Sequence, residues 1–208
     1  MRDIPYHDNP NNACALACYT MVAKFLLPEE NVTFEELGII SDWKSGYVVW
    51  AFNAWNYLLG KNISIIDYDS YDYRLMVKKG FDALQESVPP KEFDYIKSNT
   101  FEPNSLIDSI SLCLDNENFT YVQRKPNWDD VLREFSKPGI CDITLNSSIL
   151  NNKEGFVGHR VVLIDISSTH VTFHDPNLDG SGAYRKEAIE LFRKAFEDNP
   201  ELTRYSLK

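Results

Sequence analysis

Cys14, His159 and Asp175 are the residues whose types and surroundings could carry covalent chemistry. An ionised thiol is a nucleophile, an imidazole moves protons near neutral pH, and a carboxylate can fix the imidazole's tautomer. Cys14 falls in the first turn of a predicted helix, where the partial positive charge and free N–H groups of a helix N-terminus stabilise a thiolate. Cys18 lies one turn deeper on the same face, a depth that favours burial, so Cys14 is read as the nucleophile ahead of Cys18. A helix cysteine alone reads as well as a small buried hydrophobe. The weight comes from a hairpin in which His159 opens one strand and Asp175 closes its partner. The start of the first strand and the end of the second are neighbours across an antiparallel ladder. That geometry predicts that the carboxylate meets one imidazole nitrogen and leaves the other for a thiol.

The elements that must position these groups are partly legible. Asn12 is a candidate cap for a helix from Ala13 to Leu26, which Pro28 stops. Thr33 and Glu36 form a capping box for a second helix. A third helix is predicted from about Gly46 to Leu59, ending at Gly60. Asn62–Tyr68 alternates as a strand. Residues 67–125 read as an insertion, part helical, rich in aromatic and charged residues up to Pro103. Leu106–Leu114 reads as a helix, Phe119–Gln123 as a strand and Trp128–Phe135 as a helix. Strands follow at Ile140–Leu145, His159–Ile166 and His170–Phe173, with Ser167-Ser168 as a tight turn. A loop containing Gly180 and Gly182 leads to a last helix, Lys186–Asp198, and a short strand near Thr203–Leu207. Helices first and an antiparallel sheet afterwards is an α+β pattern.

Bulk properties narrow the function. The 208 residues fit one domain, 1–208, carrying that insertion, and 43% apolar content supports a real core. A net charge of −10 argues against nucleic-acid binding and against anionic membrane surfaces. No segment approaches the roughly 18 consecutive apolar residues of a membrane span. The first dozen residues lack a signal peptide's apolar core, so the chain reads as cytoplasmic. Cys14, Cys18, Cys113 and Cys141 show neither a disulfide framework nor metal-ligand spacing, so no metal or cofactor is expected. His7, His170 and His174 read as structural or surface residues. Trp50, Trp55, Tyr68, Tyr71 and Tyr73 could line a substrate groove, with packing the favoured role.

Two segments carry a family resemblance. CALACYTMVAKFL resembles the catalytic helix of the bacteriocin-processing, double-glycine-leader cysteine peptidases and their stand-alone relatives. GHRVVLIDISSTHVTFHDP resembles the same family's second motif, where Gly-His opens a Val-rich strand and Asp-Pro closes the hairpin. The resemblance implies a papain-like fold, with an N-terminal catalytic helix and further helices packed on a C-terminal antiparallel sheet. It also implies a Cys14–His159–Asp175 triad. The clear motifs cover about a sixth of the chain. The chain departs from the pattern at two positions. Ala15 stands where the family has glycine. Asp8 stands where papain-like sites have a glutamine that helps bind the oxyanion, which leaves Asn9 as the best substitute donor, with Asn11 and Asn12 as further options.

The reading that follows is a cysteine peptidase acting on a peptide. Acyl transfer from a small acyl substrate would use the same triad. A peptide-binding module of the same fold that has lost its chemistry is the alternative that Asp8 and Ala15 favour. A partner protein built on the aromatic insertion is a third.

Overall fold

The computed structural model describes residues 2–9, 13–177 and 182–208. Helix α1 spans Cys14–Leu26. Its opening N–H, that of Ala13, is accepted by Asn9 Oδ1, while the cap expected at Asn12 lies outside the described residues. Helix α2, Phe34–Ile40, starts at the expected capping box: Thr33 Oγ1 accepts from Glu36 N–H at 3.1 Å and Glu36 Oε2 from Thr33 N–H at 2.9 Å. Helix α3, Phe52–Gly60, is followed by strand β1, Ile63–Asp69. Helices α4 (Tyr73–Lys79), α5 (Pro90–Ser98) and α6 (Pro103–Leu114) precede strand β2, Phe119–Gln123, and helix α7, Trp128–Phe135. Strand β3 (Ile140–Asn146) and the short helix α8 (Ser147–Leu150) lead to β4 (Gly158–Ile166) and β5 (His170–His174). Strand β6 (Arg185–Ala188), helix α9 (Ile189–Asp198) and strand β7 (Glu201–Leu207) complete the set.

The seven strands form one sheet in the order β2-β1-β7-β3-β4-β5-β6. β1 and β2 run parallel and the other pairs antiparallel. The architecture is mixed α+β, and the sheet is mixed rather than antiparallel. The reason is non-local: β7 inserts between β1 and β3, and the 67–125 segment contributes β2 as an edge strand beside β1. Apolar side chains alternate between the two faces. Val162 and Ile164 join a core with α1, α3 and α6, whereas Val161 and Leu163 join one with Trp128, Phe192 and Phe196 from α7 and α9. No helix among the described residues is long and apolar enough to cross a membrane.

Two expected boundaries fail. The helix read from Gly46 begins only at Phe52. Gly46 adopts φ +89°, Val48 N–H donates to Asn99 O at 2.7 Å, and Val48–Trp50 are poor helix starters. The helix read from Lys186 begins only at Ile189, because Arg185–Ala188 pairs with β5. Good helix formers are overridden there by an available sheet edge.

Candidate active site

The first turn of α1, the start of β4 and the end of β5 meet at one place. Cys14 and His159 line an open cleft of about 540 Å³ together with Ala15, Trp43, Val49 and Glu201. His159 Nε2 lies 2.6 Å from Asp175 Oδ1. That contact leaves Nδ1 as the ring nitrogen for the thiol. The three sequence-read residues are therefore brought together.

Electrostatics separate the four cysteines, all of them free thiols. At Cys14, burial disfavours the thiolate. Hydrogen bonding from His159, its positive charge and the backbone N–H groups of Arg160 and Ala15 outweigh that cost and hold the thiol below its usual range. Cys18 is fully buried, and burial with nearby Asp142 pushes its thiol well up. Burial also raises Cys113, and raises Cys141 to about 12. His159 mirrors Cys14. Burial works against the imidazolium, but hydrogen bonds to Asp175 and Cys14 outweigh it and push the ring up to about 10. Cys14 and His159 thus each favour the charged form of the other and titrate as a unit.

Asp175 is tightly held. Its Oδ2 accepts from Arg185 Nη1 at 2.7 Å, its backbone N–H donates to Gly182 O at 2.9 Å, and its carbonyl accepts from Tyr6 Oη at 3.3 Å. Burial alone would raise the carboxyl, but His159 and Arg185 keep it below the ordinary carboxylate range. Arg185 was not legible in the sequence. It lies ten residues beyond Asp175, in a stretch that reads as the approach to a helix, and only the pairing of β6 with β5 turns it toward the carboxylate.

The oxyanion side is built differently from the glutamine pattern. Asp8 is exposed, and its side chain carries no amide N–H to stand in for the glutamine's. Asn9 is 4% exposed. Its Oδ1 is committed to the Ala13 N–H, which fixes the side chain beside the helix start with Nδ2 as its donor. The N–H of Cys14, in the first turn, has no partner within the helix.

No family model, curated protein or solved structure matches this chain.

The other histidines are structural. His174 is fully buried, with Nε2 2.8 Å from Ile4 O and Nδ1 accepting from Tyr184 N–H at 3.1 Å. His7 stacks on Phe34 and His170 meets Thr169 Oγ1. No group of three His, Cys, Asp or Glu among the described residues converges closely enough to hold a metal.

Proposed function

We propose that this protein is a cysteine peptidase of papain-like design, in which Cys14 attacks a peptide carbonyl. The observation that carries the reading is the thiol at a helix start, paired with a histidine whose far nitrogen is held by Asp175 at 2.6 Å. The Cys14 thiolate adds to the carbonyl carbon, and the oxygen takes up the displaced electron pair. The N–H of Cys14 and Asn9 Nδ2 are the donors assigned to that oxyanion. The His159 imidazolium then protonates the leaving nitrogen as the C–N bond breaks, leaving a thioester on Cys14. Neutral His159 takes a proton from water, the resulting hydroxide opens the thioester, and the thiolate–imidazolium pair is restored.

Iodoacetamide alkylation of Cys14, followed by intact mass, is the first test. Wild-type Cys14 is expected to react well ahead of a free thiol at pH 6, where an ordinary cysteine is almost wholly protonated. His159→Ala is expected to bring the rate down to that of the free thiol. Equal rates for wild type and His159→Ala sink the proposal. Turnover of a peptide pool, read by the new amino termini it generates, is expected from wild type and not from Cys14→Ala.

A further inference from the structure

A second cavity, of about 120 Å³, adjoins the catalytic cleft. The two share Val48, Val49, Arg160 and Glu201 as a common wall. Arg160 follows His159 in β4, and its backbone N–H supports the Cys14 sulfur. The cavity is therefore next door to the reacting thiol.

Its walls are aromatic and acidic. Trp50, Trp55, Tyr71 and Tyr73 line it with the carboxyl groups of Asp67, Asp69 and Glu201. Arg160 is the one basic residue on the lining, and both of its Nη atoms are already committed. Nη2 donates to Asp142 Oδ1 at 2.8 Å and Thr203 Oγ1 at 2.7 Å, and Nη1 donates to Glu201 Oε2 at 3.2 Å. Asp67 is 3% exposed, and its Oδ1 accepts from Thr203 Oγ1 at 3.0 Å. Its Oδ2 is buried with no partner. An unpaired buried carboxyl oxygen is costly, so one on a residue that lines a cavity marks a place for a donor. Arg160 Nε is the other unpaired atom on this wall, and it can donate to a carbonyl on the same guest.

We infer that this cavity is a specificity pocket for a cationic side chain of the substrate, with Asp67 Oδ2 as its principal acceptor and the aromatic walls facing the charge. An ammonium or guanidinium supplies the missing donors, and indole and phenol faces attract a cation. Lysine and arginine side chains share this chemistry, and both reach inward from a backbone held in the cleft. Burial raises both carboxyls, with the charge of Asp69 adding to it at Asp67 and that of Glu201 adding to it at Asp69, a strain that an entering cation relieves. The inference rests on the peptidase reading for the seat of the substrate backbone.

The test uses acetyl-Lys, acetyl-Arg, acetyl-norleucine and acetyl-Glu chloromethyl ketones, with alkylation of Cys14 followed by intact mass. The lysine or arginine probe is expected to react about tenfold faster than norleucine, which corresponds to about 1.4 kcal/mol of selective binding. The glutamate probe is expected to be slowest. The faster of the two cationic probes distinguishes ammonium from guanidinium. In Asp67→Asn and in Glu201→Gln the preference over norleucine is expected to fall at least threefold. Equal rates for all four probes on the wild-type protein overturn the pocket. Iodoacetamide on the same sample separates the two claims. If Cys14 is no faster than a free thiol, the peptidase reading falls, and the pocket is decided by thermal unfolding with n-butylammonium against n-butanol. A higher melting temperature with the amine alone supports it, and no difference overturns it.

Discussion

Cys14 and Cys18 stand four residues apart on one helix, yet their thiols meet opposite surroundings. Cys14 faces an imidazolium and two N–H groups, whereas Cys18 faces apolar side chains and the carboxylate of Asp142. Helix depth anticipated this order in the sequence, because the depth of a turn sets both burial and access to the N-terminal dipole. Asn9 was read from its position as the substitute donor, and its side chain is oriented by the Ala13 N–H on Oδ1. Asn9→Ala is expected to lower kcat by about 10²–10³ with little change in iodoacetamide alkylation, since the oxyanion forms only during acyl transfer. Arg185 acts one step further back, through Asp175. Arg185→Gln is expected to lower kcat about tenfold, about 1.4 kcal/mol in the barrier. The acid limb of the pH–rate profile should move to higher pH, because Asp175 loses a cation that holds its carboxyl down. Arg185→Lys should restore part of both effects.

At the scale of elements, the β4–β5 hairpin is the part of the site most openly written in the sequence. A Val-rich run, a tight turn and an alternating partner are local signals, and local signals place His159 and Asp175 at the same end. Residues 46–51 were misread as helix because the backbone there is set by a distant partner: Val48 N–H donates to the carbonyl of Asn99, fifty-one residues away. β6 was misread for a similar reason. The end of β1 carries a further consequence. Asp69 sits against the Tyr73 hydroxyl and the Tyr71 N–H, yet burial first and Glu201 next push it up to about 7. A carboxyl raised in the folded state binds its proton more tightly there than in the unfolded chain. Its stabilising contribution is fully present below the ordinary carboxyl value of about 4 and is lost as pH rises through about 7. The melting temperature of wild type is expected to fall between pH 5 and 8.5. Asp69→Asn should flatten that fall, as followed by circular dichroism across the same buffers.

At the scale of the whole molecule, one buried polar network ties four strands together. Arg160 of β4 reaches Asp142 of β3 and Thr203 of β7, Thr203 reaches Asp67 of β1, and Tyr205 Oη donates to Asp142 Oδ2 at 3.0 Å. Trp55 Nε1 donates in turn to Tyr205 Oη at 3.0 Å. None of this was legible beforehand, because the participants are scattered charges whose meeting depends on strand order. Removing the cation leaves Asp142 buried without a counter-charge. Arg160→Met is expected to cost about 3–5 kcal/mol in urea unfolding. Asp142→Asn combined with Arg160→Met should recover a good part of that loss, since no uncompensated charge then remains.

β7 lies between β1 and β3, and among the described residues it is the strand that pairs with both. Two partial sheets, β2-β1 on one side and β3-β4-β5-β6 on the other, are thus joined through residues 201–207. Pairing β1 with β7 closes a loop of more than a hundred residues, the kind of long-range contact that slows folding. Glu201, on the wall shared by the cleft and the cavity, arrives with that same strand. The β4–β5 hairpin rests on local contacts, whereas the wall that carries Glu201 needs this long-range pairing. In a refolding time course, discrimination among substrates should therefore return only with this slow closure.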